Sequence, residues 1–317
     1  APFTFAGGSF SVAVFEYIFS AYGIGMSGSL LDVQDGKVVC VAQDERFADA
    51  IRYIADLYAE GLIDPDAFVM DGSQWKAKMN NEAVIVGVSP NWDHNDHIAN
   101  ADVRAQYAFM KPLGGDNGEA PVVYSPTMYG LARGFGVITK ECKDPQLAAK
   151  WLDYWYDCIN SIEASEGCIG ERQYYDENGT ILTGNPDTSA VGALMPRAQT
   201  CLNPYTCRAM LKEYYEQKIV AIPSTFPKVD FITANVLPYA DKDPFNTKLY
   251  YTLEESETIS MLQPSIKNYI NSKCAEWIMK GGVDAEWDEF QNTLKKMKLD
   301  EYLATQQGAY DRMYNVQ

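Results

Sequence analysis

Runs of hydrophobic and polar positions at the start of the chain predict a helix, a β-hairpin and a second helix. Residues 10–21 carry apolar side chains at helical spacing. Residues 29–33 and 37–42 flank Asp35-Gly36, a dipeptide that tolerates the positive φ angles of a tight turn. Asp44 can then cap a helix in which Phe47, Ile51 and Ile54 share one face and which stops at Gly61.

Strand and helix patterns alternate along the rest of the chain. Strands are predicted at residues 83–88, 107–112 and 129–138. Helices are predicted at residues 74–79, 145–157 and 206–217, whereas residues 163–204 are expected to be irregular, with a turn at 176–179. Thr252 and Glu255 form a capping box for a helix that Pro264 is expected to break or kink, and a last helix carries Trp287 and Phe290. This alternation indicates an α/β fold.

The net charge of the chain argues against some kinds of binding partner. The 317 residues include 26 basic and 43 acidic side chains, a formal charge of −17. Such a field repels phosphate backbones and anionic lipids, which argues against binding nucleic acid or a membrane surface and fits a secreted protein. The chain begins Ala1-Pro2-Phe3, which indicates that a signal peptide has been removed or that the sequence starts inside a longer protein.

Sequence motifs assign no catalytic residue, metal ligand or cofactor. The two histidines lie in the segment 93–97; we expect a surface loop there, with a metal site as the alternative. The glycines of residues 130–136 lack the spacing of a phosphate or dinucleotide loop, and no GxSxG elbow is present. A carboxylate pair of a secreted glycosidase stays open as an alternative, because acidic residues are abundant.

Seven cysteines form no CxxC pair, so a zinc ribbon or a thioredoxin-like site is not indicated. Local disulfides between Cys201 and Cys207, or between Cys158 and Cys168, remain open beside free buried thiols. Cysteine usage therefore does not settle the compartment.

Aromatic residues on predicted loops are the remaining sign of a binding site. Sugar rings have apolar faces that stack on aromatic rings, while carboxylates and amides bind their hydroxyl groups. Trp92 is the first candidate, because its loop follows a predicted strand end, where α/β folds place ligands. The other candidates for ligand binding are Tyr124, Tyr129, Tyr175, Phe226, Asn91, Asp93 and Glu171. By contrast, Trp151, Trp277 and Trp287 are expected to pack in the core.

Several stretches, in order and spacing, resemble the family 1 extracellular solute-binding proteins, especially the oligosaccharide-binding lipoproteins of Gram-positive gut bacteria. Residues 57–65 (LYAEGLIDP) are similar to the family's LYxEGLIDPE segment, and residues 149–154 (AKWLDY) to its RWLDY helix. Residues 166–179 resemble its G-x-E-G-x-x-Y-x-x-D-x-x-G region, and residues 299–312 its C-terminal signature. The resemblance runs over nearly the whole chain.

This resemblance implies a type II periplasmic-binding-protein-like fold, with two lobes that close over ligand in a hinge cleft. Relatives are longer, so the first lobe is expected to be incomplete here. Residues 1–100 and 160–317 would form the second lobe with its C-terminal helices, and residues 101–159 a strand–helix unit of the first. Loss of part of the cleft wall would weaken ligand binding by this chain.

The function implied is capture of a carbohydrate, expected to be an oligosaccharide, for delivery to the permease subunits of an ABC transporter, without catalysis. The expected location is the outer face of the cell membrane, through a lipid anchor absent from this chain, or the medium. A peptide or amino-acid-derivative receptor is the alternative, and a secreted glycosidase is a further one.

Overall fold

The computed structural model describes residues 1–6, 10–91, 97–115, 118–124, 136–170, 173–183, 214, 219–221, 226–241, 244–247 and 249–314. The chain divides into two compact units, unit 1 (residues 1–126 and 232–317) and unit 2 (residues 127–231). The lobe boundaries drawn from the family resemblance remain a prediction.

The described helices are α1 (Glu16–Ala21), α2 (Glu45–Ala59), α3 (Gly72–Met79), α4 (Ala101–Arg104), α5 (Pro145–Tyr154), α6 (Cys158–Glu166), α7 (Phe226–Asn235), α8 (Leu253–Lys280), α9 (Val283–Lys296) and α10 (Leu299–Tyr314). The described strands are β1 (Leu31–Gln34), β2 (Lys37–Cys40), β3 (Tyr174–Tyr175), β4 (Ile181–Thr183) and β5 (Ile219–Ala221). Short 3-10 helices occur at Val12–Phe15, Val41–Gln43, Pro65–Phe68 and Leu237–Tyr239. The helix predicted at residues 10–21 is therefore split into a 3-10 turn and α1.

The predicted hairpin and the helix after it are confirmed. β1 and β2 pair antiparallel, and both turn residues have positive φ, 52° at Asp35 and 75° at Gly36. The Asp44 carboxylate caps α2 by accepting a hydrogen bond from the backbone N–H of Arg46 at 2.9 Å. Local turn and cap chemistry thus fixes this part of the chain.

The core of unit 1 lies between α2, α8 and α10. α8 packs against both α2 and α10, and α10 also packs against β2. Phe47, Ile51 and Ile54 of α2 are fully buried, as is Trp277 of α8. The Trp277 indole N–H donates to Glu286 Oε2 of α9 at 2.8 Å, which gives the buried ring a partner for its one polar atom. Burial of each of these large side chains stabilises the fold by about 1.5–3 kcal/mol.

Pro264 does not interrupt its helix, so the predicted break is wrong, while the alternative of a kink stays a prediction. α8 runs unbroken for 28 residues and begins with the predicted capping box of Thr252 and Glu255. Buried residues lie on both sides of the proline, among them Leu262 and Ile266. Packing of that stripe outweighs the lost backbone hydrogen bond and keeps the helix continuous.

The strands predicted at 83–88 and 107–112 are also wrong. Residues 86–88 run beside residues 1–4, with the Val88 N–H donating to the Pro2 carbonyl at 2.7 Å, but the pairing is limited to an isolated bridge. Val84 has a positive φ of 49°, which ends the extended conformation. At Gly87 the chains approach so closely that a Cβ atom would lie 2.7 Å from the Pro2 oxygen. Tyr107 instead closes a turn after α4.

Unit 2 contains α5, α6 and a small sheet in which β4 lies between an antiparallel β3 and a parallel β5. Residues 163–204 were expected to be irregular, yet the described part includes the end of α6 and a β3–β4 hairpin, whose predicted turn at 176–179 is confirmed by Gly179 at φ 76°. Trp151 of α5 was expected in the core and is 60% exposed, beside Leu147 at 64%. The helical spacing of apolar residues therefore predicted α5 correctly, but the expected burial of Trp151 was wrong.

Predictions for residues 129–135 and for the helix at 206–217, apart from Tyr214, lie outside the described residues, as do Cys201 and Cys207. Residues 136–138 are described and form no strand. Cys158 carries a free thiol, so the alternative bridge to Cys168 does not form. The helix expected to be last is α9, and a further helix, α10, follows it. Within the described part of the chain, no helix has the length and apolarity that a bilayer crossing requires.

Candidate functional site

Unit 1 contains a cavity of about 390 Å³ next to α1 and α3. The side chains around it are mostly apolar and aromatic, with a few polar groups, which is the composition expected of a site for a small organic ligand. Its lining residues are Phe5, Ala6, Val14, Glu16, Tyr17, Trp75, Pro90, Asn91 and His97.

Two aromatic rings form one wall of the cavity. The rings of Trp75 and His97 meet edge to face, with centroids 4.9 Å apart. The Trp75 indole N–H donates to Ser89 Oγ at 2.9 Å, which fixes the tryptophan from α3 against the segment that carries Asn91. An aromatic wall of this kind can accept the apolar face of a sugar ring.

Among the described residues that line the cavity, Glu16 is the one carboxylic acid. It begins α1, directly after the 3-10 turn at Val12–Phe15. Burial raises its pKa to about 7, because removal from water disfavours the charged form. Burial, and then the neighbouring charge of Glu16, also raise the pKa of the Tyr17 hydroxyl.

His97 also lines the cavity, and one of its two ring nitrogens is unsatisfied. Its Nδ1 is buried and has no hydrogen-bond partner among the described residues. Residues 93–96 of the expected surface loop lie outside the described residues. His97 is half-buried, and its backbone carbonyl accepts a hydrogen bond from Asn80 Nδ2 at 2.8 Å. The described residues contain no group of three His, Cys, Asp or Glu side chains able to hold a metal ion.

The structure places four of the eight candidate ligand-binding residues within its described part. Asn91 is exposed and lines the cavity. Tyr124 does not line it; its hydroxyl donates to the Phe245 carbonyl at 3.2 Å. Tyr175 is 51% exposed on β3, in unit 2, and Phe226 is the first residue of α7. The other candidates, Trp92, Asp93, Tyr129 and Glu171, lie outside the described residues.

Comparison with known proteins was made over the whole chain. No protein-family model matches it. The fructooligosaccharide ABC transporter substrate-binding protein FusA of Streptococcus pneumoniae serotype 4 (strain ATCC BAA-334 / TIGR4) is 30% identical over 318 residues, which cover 98% of this chain and 57% of FusA. The structure of S. pneumoniae FusA in complex with kestose superposes with a TM-score of 0.80 at 28% identity, covering 98% of this chain and 63% of that one.

The chain has the fold of a solute-binding protein. This finding confirms the resemblance drawn from the sequence and the type II periplasmic-binding-protein-like fold. An extracellular solute-binding protein from Bifidobacterium longum subsp. infantis shares the fold, with a TM-score of 0.74 at 18% identity, over 98% of this chain and 64% of that one. The chain spans less than two thirds of the length of each of these relatives.

Sequence reasoning found Asn91 but missed most of the residues that line the cavity in this solute-binding-protein fold. Phe5, Glu16 and Trp75 come from three separate segments that only the tertiary structure brings together. One signal was present: Glu16 is an acid inside the otherwise apolar pattern of residues 10–21. A lone charge on a predicted apolar face marks either a paired core charge or a site.

Proposed function

We propose that this chain belongs to the ligand-capturing part of an extracytoplasmic solute-binding protein of an ABC importer, and that the ligand is an oligosaccharide. The observation that carries the proposal is the 30% identity to FusA, a fructooligosaccharide substrate-binding protein, along 98% of the chain. Identity at that level over the whole chain, with a TM-score of 0.80 to the kestose complex, supports a common ancestor with the same kind of task.

The cavity in unit 1 supplies chemistry suited to a sugar. Tyr17 and His97, both half-buried, offer ring surface for the apolar face of a pyranose or furanose ring, beside the buried Trp75. Asn91 and Glu16 offer hydrogen-bonding groups for hydroxyls. We assign these residues as ligand contacts, and keep Trp92, Asp93, Tyr124, Tyr129, Glu171, Tyr175 and Phe226 as further candidates.

Capture, delivery to permease subunits and release without a chemical step complete the proposed cycle. Ligand binding would favour a closed form that docks on the permease. The protein would act on the outer face of the membrane, held by a lipid anchor, or in the medium. The acidic charge of −17 suits an exported protein that avoids nucleic acid.

The test is to add kestose, nystose, maltotriose or a neutral tripeptide to the chain. Isothermal titration calorimetry measures binding, and thermal unfolding measures the change in melting temperature. A ligand that binds only the folded state raises the melting temperature by mass action. We expect a saccharide to do so and the tripeptide not to. Stabilisation by the tripeptide alone would favour the peptide-receptor alternative, release of reducing sugar would favour a glycosidase, and no response to any saccharide would contradict the proposal.

A further inference from the structure

Glu16 is half-buried and, unlike the buried acids of unit 1, has no partner for its carboxyl group among the described residues. Buried Asp64, by comparison, accepts hydrogen bonds from Thr4 Oγ1 and from Lys78 Nζ, each at 2.8 Å. No hydrogen bond or ion pair to the Glu16 carboxyl occurs among the described residues. Burial without compensation is costly for a charged group, so an isolated carboxylate inside a cavity needs a reason.

A ligand with several hydroxyl groups would supply what Glu16 lacks. A carboxylate accepts up to about four hydrogen bonds, and two adjacent hydroxyls of a sugar can donate to its two oxygens. Such charge-assisted bonds are roughly twice as strong as neutral ones. The aromatic wall of Trp75 and His97 borders the same cavity, so a sugar ring could pack on that wall while its edge reaches the acid.

Resting on the proposed sugar-binding function, we propose that Glu16 is the specificity-determining acceptor of this cavity, binding ligand hydroxyls as a carboxylate and so linking capture to release of a proton. Before ligand arrives, burial holds the pKa of Glu16 near 7, so close to half of the molecules carry a protonated acid at neutral pH. Hydroxyl donors stabilise the charged form, so ligand binding lowers that pKa.

The affinity for ligand is expected to be higher at alkaline than at acid pH. The ligand binds the carboxylate, so protonation of Glu16 competes with binding and affinity falls as the pH drops through 7. With ligand bound only to the carboxylate form, the dissociation constant at pH 6 is about ten times that at pH 8. At pH 6.5 binding releases about 0.8 proton per ligand.

Other titratable side chains line the cavity, and their influence on the pH dependence of binding must be separated from that of Glu16. Tyr17 neighbours Glu16 on α1, and its raised pKa keeps it protonated throughout this range. His97 is the second group to consider, because its imidazole lines the same cavity. Glu45, exposed at the start of α2, supplies a matched carboxylate away from the cavity.

The experiment is calorimetric titration of the intact chain with kestose from pH 6 to pH 8, in two buffers of different ionisation enthalpy, for wild type, Glu16→Gln, Glu45→Gln and His97→Gln. We expect the tenfold change and proton release in wild type and Glu45→Gln, a weaker but still pH-dependent affinity in His97→Gln, and a flat profile without proton release in Glu16→Gln. Circular dichroism confirms folding, and Glu16→Gln, which removes a buried charge, is expected to melt no lower than wild type.

Three outcomes would overturn the inference. Kestose binding with a pH-independent constant in wild type would refute the role of Glu16 while leaving the proposed function intact. A profile abolished by His97→Gln and kept in Glu16→Gln would transfer the linkage to the histidine. Absence of binding to kestose and to every other saccharide at both pH limits would refute the proposed function and this inference with it.

Discussion

Replacing Asp32 by Asn is expected to stabilise unit 1 at alkaline pH. Asp32 lies on β1 and is only 8% exposed. Burial, and then the charge of Asp241, raise its pKa from the ordinary 3.8 to about 6, against the opposing effect of a hydrogen bond from the backbone of Val33. The folded protein thus holds a proton on this group over a range where the unfolded chain has lost it.

The magnitude follows from that difference in pKa. A group whose pKa is raised by folding lends its full stability below the unfolded value, here pH 3.8, and loses it as the pH rises through about 6. At about 1.4 kcal/mol per pH unit, the difference amounts to about 3 kcal/mol at pH 8. Asparagine removes the charge but still buries a polar group, so we expect Asp32→Asn to recover about 2 kcal/mol at pH 8 and almost nothing at pH 4.

Urea unfolding followed by tryptophan fluorescence at pH 4 and pH 8 measures this effect for wild type, Asp32→Asn and a control, Asp35→Asn. Asp35 is exposed in the turn of the same hairpin, with a positive φ that asparagine tolerates. The control should match wild type within about 0.5 kcal/mol at both pH values. Equal stability of wild type and Asp32→Asn at pH 8 would refute the reasoning, as would a gain of the same size at pH 4.

Three further substitutions test the core, a helix cap and the cavity. Phe47→Ala should lower the free energy of unfolding in urea by about 3–5 kcal/mol, because this ring is fully buried and its centroid lies 4.9 Å from that of Phe19. A decrease below about 1 kcal/mol would contradict the core described here. Thr252→Ala removes the cap of α8 and should cost about 1 kcal/mol, which Thr252→Ser should largely restore. Asn91→Ala should weaken kestose binding about two- to tenfold by calorimetry with no change in melting temperature, whereas Asn292→Ala, exposed on α9, should change neither.

Elements specified by neighbouring residues could be predicted from the sequence. Asp35-Gly36 needs only its own turn geometry, and the capping box at Thr252 and Glu255 is closed within one helical turn. Elements that depend on distant packing were predicted wrongly. Pro264 has the local signature of a helix break, but the core on either side of it keeps α8 continuous. Residues 83–88 have the composition of a strand, but their partner is the short segment 1–4.

The candidate site was still harder to predict, because no local pattern describes a cavity. Asn91 was identified since it follows a presumed strand end, and it does line the cavity although that strand is absent. Trp75 carried no comparable mark, because a tryptophan in a core is an ordinary finding. The lone acid Glu16 in the apolar pattern of residues 10–21 was a signal, but it does not distinguish a paired core charge from a site. Only the family resemblance, which rests on the order of several motifs, pointed beyond the fold class.

The order of segments in unit 1 has a consequence for biosynthesis. The chain leaves this unit at residue 126 and returns at residue 232, and α2 packs against α8 although 194 positions in sequence separate Ala59 from Leu253. During translation, Phe47, Ile51 and Ile54 therefore emerge from the ribosome long before their partners on α8 exist. Closing so distant a contact is slow, and the apolar face of the nascent α2 stays without its native partners, and so prone to aggregation, until α8 has been made.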